Sequence, residues 1–335
     1  MPGKVLKGKG KGTNKDTSRE VPPLSEKSKQ IIAIVVSDLH LSEKPPVFRS
    51  TALDWMGVQE GYMGVLRYLQ IQHGGVPILI AGDVFDKWNS SPLLIGKAIG
   101  WLQRMNVYSI PGNHDLPGHS YQQLPRSAYW CLHEAGVIKN LEPGGTHEIG
   151  QMLVHPFPPG FEVTPPNKGN DLCLHVALIH DYIWTERTGY EGAAESKRLA
   201  GWSQKLRGYN VALFGDNHKS VLATTKYGTE VFNAGTFMRR KSDEKELRVC
   251  VGLLHSDGQI ERYYLDTSAD KFLDPGEEIK GLESLNVDMS YFVQELESLH
   301  AEKMDYVKAV LRYMQKFKTP SEIRTLVCRA LGVSK

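Results

Sequence analysis

Ile31-Ile32-Ala33-Ile34-Val35-Val36 runs without a polar residue into Ser37-Asp38-Leu39-His40. A continuous, mostly β-branched apolar run is the mark of a strand covered on both faces. The Asp and the His follow where such a strand stops. Four more runs repeat the pattern. Residues 77–81 end in Gly82-Asp83-Val84-Phe85-Asp86, and 107–110 end in Pro111-Gly112-Asn113-His114-Asp115. Residues 174–179 end in His180-Asp181, and 210–214 end in Gly215-Asp216-Asn217-His218. In an α/β sheet the carboxyl ends of the strands form the crevice where ligands bind. Five strand ends therefore each deliver an Asp, Asn or His to one rim.

Between these runs, apolar residues recur three and four apart around 62–69 and 93–105, which predicts helices. Strand and helix in alternation imply a stacked α/β (α+β) architecture. Gly82, Gly112 and Gly215 precede Asp83, Asn113 and Asp216, where tight strand exits call for free backbone torsions. In Asp38-Leu39-His40, residues two apart on an extended segment point the same way, so both side chains can reach one ion. Past Gly215 the pattern becomes short alternating strands at 221–225, 230–233, 247–254 and 259–265, expected to pair antiparallel and close a second sheet.

Residues 1–29 are rich in Lys, Gly, Ser and Pro, with eight Lys/Arg against three Asp/Glu in the first thirty positions. They read as a disordered basic tail, serving either as a solubilising leader or as a loose electrostatic hold on nucleic acid. The expected domain spans 30–268, followed by a linker at 269–288 and a C-terminal helical segment at 289–335. Tyr306, Val307, Val310, Leu311 and Met314 form its apolar stripe, and Thr319-Pro320-Ser321-Glu322 reads as a capping box that opens a last helix.

The 335 residues are 41% hydrophobic and 23% charged with a net charge of +2, the balance of an ordinary soluble protein. No apolar run reaches the ~18 residues a membrane helix needs, and no secretory h-region opens the chain. Cys131, Cys173, Cys250 and Cys328 form no CxxC pair, which argues against a thiolate zinc site and for reduced thiols. The expected location is cytoplasmic, with no membrane partner.

A single strand-end Asp is often a helix cap, and a lone His180 is often a hydrogen-bonded core residue. Five such ends in series are hard to produce by capping alone. The series resembles the calcineurin-like metallophosphoesterase superfamily, whose pattern is D-x-H, GDxxD, GN-H-D/E, H and G-H-x-H. The resemblance spans residues 31–265 and implies a four-layer β-sandwich flanked by helices. It implies that Asp38, His40 and His218 hold one metal, that Asp83 bridges, and that Asn113 and His180 hold a second. His114 would be the general acid, with Asp115 orienting it, and Asp86 and Asp181 would support the ligand histidines.

The last motif departs from the family in placing Asp216 where a histidine is usual. Either Asp216 ligates, or the second metal is weakly held. As a ligand it would make the shell more anionic and favour harder ions, Mn²⁺ ahead of Mg²⁺, Fe²⁺, Zn²⁺ or Ni²⁺. It would also weaken acidification of the bridging water.

Residues 233–241, Asn-Ala-Gly-Thr-Phe-Met-Arg-Arg-Lys, are similar to the segment after the last motif of the Mre11/SbcD-type DNA exonucleases. Arg239 and Arg240 could approach a phosphate backbone there, or be plain surface charge on a turn. The order of parts also resembles that group, whose C-terminal helices dock a coiled-coil ATPase; here the C-terminal stripe could equally pack on the catalytic domain. The implied partners are DNA, an SbcC/Rad50-like ATPase and a second copy of the chain. Trp88 and Trp184 could stack a base at the rim or be buried packing. The expected activity is a DNA exo- or endonuclease of the repair or recombination type. The alternatives are a phosphatase or diesterase for small nucleotides or phosphoproteins, and a binding or scaffold module with weakened catalysis.

Overall fold

A computed structural model of the chain describes residues 29–50, 52, 54–167 and 173–273, with Met314, Ile323, Arg324, Val327 and Cys328. The first part runs β1 (Ile31–Val36), α1 (Trp55–Gln72), β2 (Ile78–Ala81), α2 (Pro92–Leu102), β3 (Val107–Ile110), α3 (Ala128–Glu134) and β4 (Lys139–Asn140). Then come β5 (His147–Ile149), β6 (Met152–Phe157), β7 (Leu174–His180), α4 (Leu199–Trp202) and β8 (Val211–Gly215). The described elements end with β9 (Val221–Thr224), β10 (Glu230–Asn233), β11 (Cys250–His255) and β12 (Ile260–Tyr264).

Two six-stranded mixed sheets result, in the orders β12-β11-β1-β2-β3-β4 and β5-β6-β7-β8-β10-β9. The apolar runs explain how they stack. In β1 and β2, Ile34, Val36, Ile78 and Ile80 face a core shared with α1, α2 and α3, while Ala33, Val35, Leu79 and Ala81 face the core between the sheets. In β7 and β8, Val176, Leu178, Val211 and Leu213 complete that middle core, and Ala177, Ile179, Ala212 and Phe214 pack outward under Trp202 and Leu206. Strands covered on both faces need apolar residues at every position. The four expected layers are therefore present.

Two expectations change. The five motif-bearing strands do not share a sheet, since β1, β2 and β3 lie in one and β7 and β8 in the other. Nor do the late strands close a sheet of their own. β10 pairs parallel to β8 with β9 antiparallel at its edge, whereas β11 returns to pair antiparallel with β1, and β12 follows it. Partner choice between strands of equal pattern is a long-range packing decision. The strand β6 was not expected, because it alternates buried and half-buried residues and contains Pro156. β5 pairs with β6 only as far as Val154, so the missing amide of Pro156 lies beyond that pairing.

The helices carry their own signals. Asp54 caps α1 by accepting from the Gly57 amide (2.8 Å), and Ser91 caps α2 by accepting from the Leu94 amide (3.2 Å), with Pro92 in the first turn. The second helix stops at Leu102, short of the expected 105, where Gln103 leaves helical torsions.

Arg49, 1% exposed, ties the far end of the domain to its start. Its guanidinium donates to the Arg239 carbonyl (2.5 Å) and pairs with Asp270 (2.6 Å), while Asp270 also takes Arg239 Nε–H (2.8 Å) and the Tyr62 hydroxyl (3.1 Å). The Leu273 amide donates to the Phe48 carbonyl (3.0 Å). The opening residues of the expected linker, 269–273, are thus docked on the domain. The remainder of the linker, the basic tail up to residue 28 and most of the C-terminal segment lie outside the described residues. Within the described residues, no helix is long and apolar enough to cross a membrane.

Removing one member of a buried ion pair strands the other charge. Asp270→Ala is expected to lower unfolding free energy by about 3–5 kcal/mol in urea titrations. A loss within error of an exposed-site substitution would show that the Arg49 network does not hold the domain ends together.

Candidate metal centre

The two sheets meet at the carboxyl ends of β1, β2, β3, β7 and β8. Asp38 donates its amide to the Gly82 carbonyl (3.1 Å), His40 to Asp83 (3.0 Å) and Leu41 to Val84 (2.9 Å), so the exits of β1 and β2 stay zipped beyond the strands. The Asp216 amide then reaches across the sandwich to the Asp38 carboxylate (3.1 Å).

Of the six non-glycine residues with positive φ among those described, four are Asp38 (52°), His40 (45°), Asp83 (53°) and Asp216 (92°). Left-handed backbone costs such residues free energy and collects at functional sites. Asp38 and His40 converge, then, through a doubly turned backbone and not through an extended one. The glycines also act differently from expectation. Gly82 does take a positive φ (89°), but Gly112 is extended, with φ −97° and ψ −178°. A Cβ on Gly112 would lie 2.0 Å from Asp83 Oδ1, and one on Gly215 would lie 2.0 Å from the Ala81 carbonyl. These two are small because the loops pack against one another.

Two groups of donor atoms converge, each within 4.8 Å: Asp38, His40 and His218, and Asp38, Asp83 and His180. Asp38 belongs to both. Asp83 Oδ2 lies 3.7 Å from His40 Nε2 and 3.5 Å from His180 Nε2, which puts it between the groups. Asn113 Oδ1 is 2.9 Å from His180 Nε2. Two imidazoles bound to one ion at 2.0–2.1 Å lie about 3.0–3.4 Å apart at ordinary coordination angles. His40 Nε2 and His218 Nε2 are 3.2 Å apart, so the donors fit an ion. Asp216 is in neither group, although its charge acts on His180.

Two of the three ring orientations are set from behind. His180 Nδ1–H donates to the Ala81 carbonyl (2.7 Å), and His218 Nδ1 meets Glu244 Oε1 at 2.6 Å, so Nε2 of each ring is left for an ion. His40 Nδ1 has no hydrogen-bond partner; Asp86 Oδ1, at 3.8 Å, is instead bound to Arg240 (2.6 Å). Burial drives the His40 pKa well down and raises that of Asp38. For His180 burial also acts downward, but Asp83, Asp38 and Asp216 outweigh it and raise the pKa. Asp83 is pulled low in spite of burial, through His180 and His114.

His114 donates its amide to Asp83 Oδ1 (2.9 Å), and its Nδ1 lies 2.8 Å from the Asp86 carbonyl. Together with His40 and Asp86 it forms a third converging group. Asp115 does not orient it. The Asp115 carboxylate instead accepts from the amides of Gly112 (2.9 Å), Phe85 (3.0 Å) and Val84 (3.1 Å), which staples the β2 exit to the β3 exit. Burial, with the Asp83 charge behind it, raises its pKa to about 7. Asp181 likewise misses the ligands; it pairs with Lys197 and accepts from the Tyr182 amide.

The expected phosphate-binding pair is committed elsewhere. Arg239 is bound to Asp270 and to the carbonyls of Lys245 and Thr267, and Arg240, 6% exposed, is held against Asp86. Trp184, half-buried, donates its indole N–H to the Ala194 carbonyl (2.9 Å). Glu244 is a residue that sequence reasoning missed. It is 2% exposed and also accepts from the amides of Arg240 (2.5 Å) and Lys241 (3.0 Å). In sequence it is one acid among Ser242-Asp243-Glu244-Lys245, which reads as a surface turn.

The family model for calcineurin-like phosphoesterases matches residues 33–220, more than half of the chain, from β1 through the last histidine of the site. The chain belongs to the calcineurin-like phosphoesterase family. This phosphoesterase also resembles several solved structures. A protein of Thermus thermophilus is 10% identical, with 69% of this chain and 97% of that one covered at a TM-score of 0.42. A hypothetical protein from Pyrococcus horikoshii is 12% identical over 76% and 94% at 0.39. A metallophosphoesterase from Sphaerobacter thermophilus is 11% identical over 77% and 95% at 0.34. No curated protein matches the phosphoesterase. The family hydrolyses phosphoric esters with divalent metal ions, and the converging Asp and His groups are donor sets for them.

Burial works against the Glu244 anion, but the hydrogen bond and charge of His218 and the two amides bring its pKa to about 2, below its ordinary 4.5. A depressed pKa gives stability that is present above the ordinary value and lost as pH falls toward the folded one. In the metal-free chain, the stability advantage over Glu244→Gln should be full above pH 4.5 and vanish on acidification toward 2. With metal, Glu244→Ala should weaken calorimetric affinity by about 10–100-fold; unchanged affinity would mean that Glu244 does not support the His218 ligand.

Proposed function

We propose that this phosphoesterase is a two-metal phosphodiesterase acting on DNA, as an exo- or endonuclease of the repair or recombination type. The observation that carries the two-metal reading is Asp83 Oδ2, poised between His40 and His180 in a buried pocket where both donor groups share Asp38. Asp38, His40 and His218 would hold one ion, Asp83 would serve both, and Asn113, His180 and Asp216 would hold the other. With Asp216 as a ligand, three carboxylates in the shell would favour Mn²⁺. The DNA assignment is supported by the likeness of 233–241 to the Mre11/SbcD-type segment, and the matching partner is an SbcC/Rad50-like ATPase docked through 289–335.

When bound, the ions supply Lewis-acid activation of water and of the phosphoryl oxygens. Hydrolysis joins the water oxygen to phosphorus and breaks the ester bond, so the departing alkoxide needs a proton. His114 supplies it. Its Nδ1–H is pinned on the Asp86 carbonyl, which leaves Nε2 to exchange the proton. Burial alone would disfavour the charged ring, but Asp83 and then Asp86 outweigh it and raise the pKa. A small nucleotide diester is the second reading, favoured by the commitment of Arg239 and Arg240 to Asp270 and Asp86.

The decisive assay measures Mn²⁺-dependent turnover of bis-p-nitrophenyl phosphate, p-nitrophenyl phosphate and end-labelled DNA. His114→Ala is expected to lower kcat by about 10²–10⁴-fold with metal content unchanged. Turnover of the monoester alone would sink the nuclease reading, and turnover of nothing with any divalent ion would sink the enzyme. Asp216→Ala should reduce bound metal from two ions towards one in elemental analysis; two retained ions would remove Asp216 from the ligand set.

A further inference from the structure

A cavity of about 260 Å³ opens beside His218, and Arg187, Lys219, Arg248, Arg262 and Tyr264 line it with no carboxylate among the lining residues. Among the described residues, none of these four cations has an Asp or Glu within ion-pair distance, whereas Arg49, Lys197, Arg198, Arg239 and Arg240 are all paired. Like charges gathered without a counter-charge repel one another, and a fold that places them so departs from its own electrostatic interest.

Two of the four are held in place. Arg262 uses its Nε–H on Ser220 Oγ (3.1 Å), one donor of the five a guanidinium has. Arg248 lies 3.7 Å over the Tyr264 ring, which fixes its plane. Oriented guanidinium forks match phosphate oxygens two at a time.

His218 is the link to the metal centre, because it belongs both to the donor group with Asp38 and His40 and to the cavity wall. Its side chain is 21% exposed, against 2% for His40 and 1% for His180. Of the three histidines in the two donor groups that share Asp38, the one on the cavity's side is therefore the most open.

We propose that this cavity is a subsite for a second phosphate of the substrate, next to the scissile one. The inference rests on the phosphodiesterase reading for the scissile phosphate. It moves phosphate recognition away from Arg239 and Arg240 to the cations that are free to provide it. A phosphate carried by a polynucleotide strand and one carried by a free dinucleotide share the chemistry that the cavity recognises.

The test reads binding calorimetrically at fixed salt, with Ca²⁺ present, for thymidylyl-thymidine with and without a 5′-phosphate. Wild type is expected to bind the phosphorylated form at least about tenfold more tightly, the size of one charge-assisted contact. The double variant Arg248→Ala/Arg262→Ala should bind both alike. Arg187→Ala, an exposed position, should lose part of the difference and separates binding from any failure of the double variant to fold. A parallel arm compares a longer oligonucleotide with and without its 5′-phosphate; a gain in either arm supports the subsite, and the tighter arm names the source. Equal wild-type affinities in both arms, no binding of the phosphorylated forms, or a difference that survives in every variant would overturn it. Because no turnover is needed, preferential binding by a chain that cleaves nothing would sink the phosphodiesterase reading alone.

Discussion

Asp38 and Asp83 are 0% and 2% exposed and share one pocket, and carboxylates this deep are unfavourable unless donors and cations surround them. Much of the surrounding structure answers that constraint. The amides of Asp216 and His114 point at the two carboxylates, and His40, His180 and His218 crowd round them. A divalent ion of the kind the family uses would complete the compensation that these donors leave partial. The strained torsions at Asp38, His40, Asp83 and Asp216 aim the side chains inward, and the zipped exits of β1 and β2 keep the backbone in those torsions.

Supporting groups extend outward from this pocket in an ordered way. Asp115 holds the β2 exit to the β3 exit by accepting from the Val84 and Phe85 amides, and it accepts from the Gly112 amide within its own loop. Glu244 sets the His218 ring and, through two amides, fixes the turn that carries Arg240. Arg240 then secures Asp86, whose carbonyl positions His114. A residue after the last strand of the second sheet thereby positions a group after the second strand of the first. The Arg49–Asp270 lock does the same job on a larger scale, since Asp270 also holds Arg239, the neighbour of Arg240.

The motif residues were readable because each sits at a local event, the end of an apolar run, and because few residue types combine with a tight turn in that way. The likeness of the five ends to one family pattern made the fold and the reaction class legible together. The supporting residues were not readable. Asp86 and Arg240 are 154 positions apart, and His218 and Glu244 are 26 apart across an irregular segment. No periodicity links such pairs. Adjacency in sequence suggests His114 as the partner of Asp115, and the likeness of 233–241 suggests a phosphate for Arg239, whereas packing supplies backbone amides to the first and Asp270 to the second.

The sequence by itself determined which segments become buried strands and which chemical groups stand at their ends, because alternation and burial act on neighbouring residues. Only the tertiary structure decided how those strands divide between two sheets, with β11 returning to β1 and β10 to β8. It also decided which charged side chains are spent on holding the fold and which are left facing the cavity beside His218. The physical reason is the same in both cases. An apolar strand or a guanidinium carries no label for its partner, and the pairing is chosen by whatever packing brings within reach.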